Sequence, residues 1–332
     1  MKEVAELNTT RRGLLSAALA VGIAPVLGTA RAAAYPERPV RFVLPVAPGG
    51  GTDNLMRILA PTLSESMGVN LIIDNKPGGS SVIGTEIVTQ SAPDGYTALV
   101  CDSAILTNPG LFANKLPYDT LADLTGVTMM ATAPVILVVH PSVPARNLAE
   151  LLALAKAKPG SMNYASGGNG AATHLAGELM KIVVGVDIVH IAYKGTAPAL
   201  NDLLAGQVHM QFAGISSARQ HVEAGKLRAI AMTGPTRNAA MPDVPTFVEQ
   251  GVVGVDADSY WGLYVPSASP AEAVNTLNKH FVRALRSPQL AERLTAAGYI
   301  PIANSPAEHT QMMRSMIARW TEVITQAKIQ KG

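Results

Sequence analysis

The apolar run VRFVL at 40–44 leads through PVAPGGGTDN into the amphipathic LMRILAPTLSES, and this order of strand, turn and helix recurs along the 332-residue chain. Further strand-like runs fall at 70–74, 96–101, 135–140, 162–165, 187–190, 209–212 and 227–232. Helical periodicity lies between them at 52–67, 82–90, 148–157, 171–183 and 197–205. Such alternation restricts the chain to an α/β fold of doubly wound lobes, with parallel sheets covered on both faces. After Ser259, Tyr260 and Trp261 the pattern becomes long amphipathic helices at 270–286, 289–297 and 306–330. Those helices need a sheet to cover, and the middle of the chain has strands enough for a sheet of its own. The expected organisation is one lobe from 35–133 plus 259–332 and a second from 134–258, with crossovers near Ala133 and Asp258 and a cleft between the lobes.

Residues 1–34 read differently. The twin arginine Arg11–Arg12, a short apolar run broken by Pro25, and the small-x-small site Ala30-Arg31-Ala32 resemble a twin-arginine export signal cut between Ala32 and Tyr35. The run is too short for a membrane span, so a mature protein in the periplasm is expected. The first 32 residues carry four basic and two acidic groups; without them 22 of each remain. A neutral chain with no dense Lys/Arg run excludes nucleic acid as a partner. Cys101, the single cysteine, cannot form an intrachain disulfide and is expected as a small buried hydrophobe.

Glycine clusters stand where strands end and helices begin, the place where open α/β sheets bind ligands. A helix N-terminus offers unpaired N–H groups and a partial positive charge, so it holds an anion without a basic side chain. In the stretch starting at Val46, Pro48 ends the strand, Gly49, Gly50 and Gly51 turn, and Thr52 or Asp53 caps the helix. In the second, Ser166, Gly167, Gly168, Asn169 and Gly170 turn and Thr173 and His174 follow within the helix. A third, PGGSSVIG, presents Gly79 and Ser80, and Lys194 with Gly195 opens another helix. Ser103, in CDSAIL, is a further candidate contact. Each loop alone also reads as a self-satisfied turn, His174 as a histidine serving its own helix, and Lys194 as a surface lysine. Together, on two lobes, the loops suit a ligand with anionic ends.

Enzymatic motifs fail in detail. Gly79–Thr85 has P-loop spacing without the Gly-Lys-Ser/Thr, GNGAAT lacks the third glycine of a dinucleotide fingerprint, and GISSA around Ser216 is one residue short of a nucleophile elbow. The histidines show no metal-ligand spacing, and no cofactor is expected.

The ordered motifs PVAPGGGTD, DNKPGGSSVIG, APDGYTAL, YASGGNGAATHLAGELM, YKGTAPALNDLLAGQV, GKLRAIAMTGPTR and VPTFVEQG resemble the Bug family of extracytoplasmic receptors for tripartite tricarboxylate transporters. The resemblance runs from Pro36 to the C-terminus. It implies a type II periplasmic-binding-protein fold, a monomer closing on a small organic acid, and the transporter's membrane components as partners. It also implies that loops 46–53 and 166–174 clamp one carboxylate through backbone amides and small hydroxyls. Val46 stands where the family often has Phe, and Ala213 where it often has an acid. Alternative readings are a secreted α/β hydrolase, marked by turnover, and an orphan receptor feeding a sensor kinase. Counting Asp53 as the one acid in the expected cleft loops, and as a helix cap, predicts a ligand without an amino group. Asp102 is then the remaining candidate partner for an ammonium, and a cap or turn role is expected for it.

Overall fold

The computed structural model describes residues 35–326 and Ile329; the expected export signal lies outside them. Strands β1 (Val40–Leu44), β2 (Leu71–Asn75) and β3 (Thr97–Cys101) pair in parallel and are followed by helices α1 (Gly51–Met67), α2 (Val82–Thr89) and α3 (Ala104–Phe112). The long β4 (Leu124–Ala133) completes this part of the first sheet, and after Pro134 the chain enters β5 (Val135–Val139) of a second sheet. There α4 (Leu148–Ala157), β6 (Asn163–Ser166), α5 (Ala172–Val184), β7 (Val189–Ala192), α6 (Thr196–Leu204), β8 (Met210–Gly214), α7 (Ile215–Glu223) and β9 (Arg228–Met232) follow. Residues 233–258 return the chain to the first sheet through β10 (Ser259–Pro266), and α8 (Ala271–Leu285), α9 (Pro288–Ala296), β11 (Ile300–Pro301) and α10 (Pro306–Gln326) finish the described part.

The strand orders are β2-β1-β3-β10-β4-β11 and β7-β6-β8-β5-β9. Neither sheet is wholly parallel, which corrects the expectation from the strand-helix alternation. In each, the fourth strand runs antiparallel to its neighbours: β10 against β3 and β4, and β5 against β8 and β9. The reason is topological. β10 and β5 are the strands that arrive from the other sheet, so they enter at the edge where the parallel strands leave. The carboxyl ends of β1 to β3 and of β6 to β8 are thereby left to carry the loops of the cleft.

The crossing segments lie side by side. Ser259 pairs with Ala133, Thr132 Oγ1 donates to the Ser259 carbonyl at 2.9 Å, and Thr233 Oγ1 donates to Asp258 at 2.8 Å while accepting the Val135 N–H at 2.9 Å. The C-terminal helices return to the first sheet, α8 and α10 lying on β4 and α9 on α1. α8 buries Ala273, Val274, Leu277, Phe281, Ala284 and Leu285 at the spacing of one helical stripe, and each large side chain so buried stabilises by about 1.5–3 kcal/mol. Cys101 is buried in the first lobe's interior, and burial pushes its thiol up.

Candidate functional site

Four helices begin at one small cavity. Their N-cap residues, Gly50 of α1, Ala171 of α5, Gly195 of α6 and Gly214 of α7, all line it, and none receives a side-chain capping bond. The cavity measures about 30 Å³, space for about two waters or one small polar group. Its wall takes Val46, Gly51, Thr52, Asp102, Ser259 and Trp261 from the first lobe and Gly167, Ala172, Thr173 and Thr196 from the second. Because the first N–H groups of a helix have no intrahelical partner, four such ends create a concentrated anion site with no cation in it.

The hydroxyls near it are positioned by neighbours. Thr52 Oγ1 accepts the Trp261 indole N–H at 3.1 Å, Thr173 Oγ1 accepts the Gly167 N–H at 3.0 Å, and the Tyr299 hydroxyl donates to the Gly51 carbonyl at 2.7 Å. A second cavity of about 280 Å³ adjoins the first, lined by Gly79, Ser80, Gly168, Asn169, Tyr193 and Lys194 among others. That volume lies below the ~300–1,000 Å³ usual for drug-sized ligands, so it suits a small molecule.

What approaches the glycine backbone so closely is largely the opposite lobe. A Cβ on Gly195, whose φ is +122°, would lie 3.2 Å from the Ala47 nitrogen, and without it the Ala47 N–H reaches the Lys194 carbonyl at 3.3 Å. Gly170, with φ +82°, sits against α3: a Cβ there would meet Leu111 Cδ1 at 2.7 Å and Thr107 Oγ1 at 2.8 Å. Thr107 instead donates to the Gly170 carbonyl at 2.6 Å. On the far side, Tyr299 meets Ser216 Oγ at 2.9 Å and Arg219 donates to the Ala296 carbonyl at 2.6 Å. The lobes are therefore closed on each other, and Ser216 is engaged with a tyrosine rather than with His221.

Val46, Gly50, Gly51, Thr52, Gly167, Thr173 and Gly195 thus meet at the small cavity, and Gly79, Ser80, Gly168, Asn169 and Lys194 at the larger one. Other candidates stand elsewhere, for identifiable reasons. Pro48 and Gly49 are exposed on the rim. Asp53 is buried outside the walls. It accepts the Gly49 N–H at 2.9 Å, Arg57 Nε at 2.7 Å and Asn75 at 3.2 Å; burial opposes its ionisation, but these donors and the guanidinium outweigh it and hold the carboxyl below its ordinary range. Asp53 therefore braces the first loop, and Gly50 rather than Thr52 or Asp53 is the cap. Ser103 Oγ accepts the Tyr260 N–H at 3.0 Å, tying α3 to β10, and Ala213 is wholly buried inside the second lobe. Gly170 faces α3, and Ser166 Oγ bonds His190 Nε2 at 2.7 Å. Trp261, Thr196, Gly214, Ser259, Ala171 and Ala172 also line the small cavity, and none of them is among the contacts expected from the sequence, whereas Asp102, named there only as a candidate partner for an ammonium, does line it; one of only two tryptophans, placed where the chain returns to the first sheet, is the available signal for Trp261.

His174 does not face ligand space. It is buried, its Nδ1 accepts the Gly170 N–H at 3.2 Å, and its ring stacks on His190 at 4.2 Å. Burial, with Lys181 adding repulsion, pushes His174 down to about 4, and burial with His174 alongside pushes His190 down to about 3. Both stay neutral in the folded state while the unfolded chain takes up protons below about pH 6.5. Stability is therefore complete above pH 6.5 and is lost as pH falls toward 4 and below, on the order of 3 kcal/mol for His174 alone. Urea unfolding at pH 7.5 and 4.5 should show this loss, and His174→Gln should flatten it; an unchanged slope in that variant counts against the buried neutral pair.

Two sheeted lobes closed around a cavity of helix N-termini define a two-lobed ligand-binding protein. The model of the tripartite tricarboxylate transporter family receptor matches residues 55–329, and the chain belongs to that family. It is 33% identical over 319 residues to protein BugT of Bordetella pertussis, covering 96% of this chain and 98% of that one. The structure of the periplasmic binding protein BugD superposes with a TM-score of 0.86 at 32% identity, covering 90% of this chain and all of that one. An R. palustris protein solved with adipate superposes with a TM-score of 0.86 at 33% identity, covering 89% and 99%.

Proposed function

We propose that this chain is a periplasmic solute receptor that closes two lobes on a small organic acid and presents it to the membrane components of a tripartite tricarboxylate transporter, with no covalent chemistry. The observation that carries this reading is the meeting of four uncapped helix N-termini at one cavity whose wall comes from both lobes. A carboxylate there gains from each terminus about 0.3–1 kcal/mol, and up to ~2 when partly buried, without the desolvation of a basic side chain. The similar R. palustris protein solved with adipate supports an organic acid as the ligand class. Val46, Gly50, Gly51, Thr52, Gly167, Thr173 and Gly195 are the proposed carboxylate contacts, and Gly79, Ser80, Gly168, Asn169 and Lys194 the wall of the ligand's remainder. Lobes 35–133 plus 259–332 and 134–258 would open about the paired crossings, the protein acting as a monomer.

Thermal melting with a panel of succinate, glutarate, adipate, malate, citrate and their amino-acid counterparts tests the function. A ligand at 100 times its Kd adds about 2.7 kcal/mol, and no shift with any acid overturns the proposal. Export through a twin-arginine signal is proposed on Arg11 and Arg12. Changing both to Lys is expected to leave precursor in the cytoplasm; an unchanged periplasmic yield argues for another route.

A further inference from the structure

The two cavities meet at a neck whose shared wall is Val46, Asp102, Gly167, Ala171 and Gly195. Four of these five present no polar side chain, so Asp102 alone brings charge to the place where the two cavities join. One of its oxygens accepts the Ala104 N–H at 3.0 Å and completes the turn into α3. No Lys, Arg or His forms an ion pair with it among the described residues. Its ionisable neighbours are the buried Cys101 thiol and Tyr264 phenol, weak acids that supply no positive charge. Burial pushes the Asp102 carboxyl up, against the pull of the Ala104 N–H. Lys194, exposed at the rim of the larger cavity, is the one cation in the two walls. Closing the lobes on an unbalanced carboxylate is costly unless the ligand brings the opposite charge.

We propose that Asp102 makes this receptor selective for an α-amino acid, with the ligand carboxylate at the four helix N-termini, the α-ammonium against Asp102 in the neck, and the side chain in the larger cavity beside Ser80, Tyr193 and Lys194. The proposal rests on the reading of the small cavity as a carboxylate site. It reverses the ligand expected from counting charges along the sequence. Asp53, the acid counted in the wall, is taken up by Arg57, whereas Asp102 makes its turn with one oxygen and still lines the cleft. An acid without the amino group sets a methylene at the carboxylate in the neck and leaves the Asp102 charge unmatched.

Calorimetric titration at neutral pH with two matched pairs, aspartate against succinate and glutamate against glutarate, tests this on the wild-type protein and on Asp102→Asn. Asparagine keeps an acceptor for Ala104 and the size of the side chain, removes the charge, and puts an N–H donor in place of the second oxygen. The wild type is expected to bind at least one amino acid tenfold or more tighter than its matched diacid. The variant is expected to lose tenfold or more for that amino acid, keep or improve its affinity for the diacid, and melt at the unliganded wild-type temperature. Diacids bound as tightly as amino acids, or an Asp102→Asn variant with the wild-type preference, would overturn the role of Asp102 and leave the carboxylate site standing. Binding of none of the four acids would overturn this proposal, and the reading of the cavity as a carboxylate site falls with it only if the wider panel of acids also gives no thermal shift.

Discussion

Gly170→Val is expected to leave the protein folded and to raise the Kd for its ligand by roughly 100-fold, because it obstructs the closed arrangement of the lobes. Gly170 closes a glycine turn at a helix start, where a side chain would crowd a bound anion or force the loop out of a glycine-only conformation. The structure moves the collision elsewhere: the added atoms meet Leu111, Thr107 and Asn108 of α3, in the opposite lobe. A β-branched residue is also poorly suited to φ +82°, at about 1–2 kcal/mol. Separation of the lobes removes the contact with α3 and frees the loop to relax, so the cost falls on the closed form. About 3 kcal/mol against closure reduces the competent population, and the apparent affinity, by roughly 100-fold. Small-angle scattering should show ligand-driven compaction in the wild type and none in the variant, with titration calorimetry giving the loss of affinity. Gly170→Ala, smaller and unbranched, should fall between. Wild-type compaction and affinity in Gly170→Val would mean that the contact with α3 plays no part in closure.

Trp261→Ala is expected to cost about 3–5 kcal/mol of stability, the usual range for deleting a large buried aromatic and a large share of the ~5–15 kcal/mol that holds a domain folded. The indole is buried, stands edge-on to Tyr299 with ring centres 5.1 Å apart, and donates to Thr52 Oγ1 at the start of α1. Its loss opens a void beside the small cavity and releases the hydroxyl that the indole positions. Trp261→Phe keeps most of the ring packing and should cost only about 1 kcal/mol through the missing hydrogen bond. Urea unfolding measures both. The two tryptophans also separate binding from folding, since Trp320 is buried on α10, outside the walls of both cavities. A ligand-induced change of fluorescence should disappear in Trp261→Phe and persist in Trp320→Phe. Survival of the change in Trp261→Phe would remove Trp261 from the neighbourhood of the ligand.

Much of the secondary structure is written in local pattern. The first strand and α4 lie at the boundaries the periodicity predicts, and most other predicted elements begin and end within two residues of their observed limits. The omissions have separate causes. β4, with the sequence LTGVTMMATA, is buried on both faces between β10 and β11, so it shows no alternation, and its Met, Thr, Ala and Gly carry little strand signal. α3 contains Pro109 and Gly110, which read as breakers. Gly110 is there because a Cβ would lie 2.9 Å from the Thr321 Cα of α10, a constraint 211 positions away in the chain. α7 was hidden behind a near-match to a nucleophile motif, whose serine the fold assigns to Tyr299.

The candidate site divides along the same line. Glycine loops between strands and helices are local signals, and they determined that anion-holding helix starts would gather at the strand ends, because uncapped N–H groups follow from the backbone alone. Ligand-facing side chains within those loops were not determined locally. Asp53 and Asp102 both stand where a strand gives way to a helix, the first in the opening turn of α1 and the second just before α3, yet a guanidinium one turn along α1 takes up Asp53, while the antiparallel entry of β10 and the approach of the second lobe leave Asp102 in the neck between two cavities. His174 and Gly170 look like ligand contacts in the sequence and serve a buried histidine stack and the contact with α3. Charge at a site depends on which neighbours reach it across long separations in the chain, and only the tertiary structure decides that.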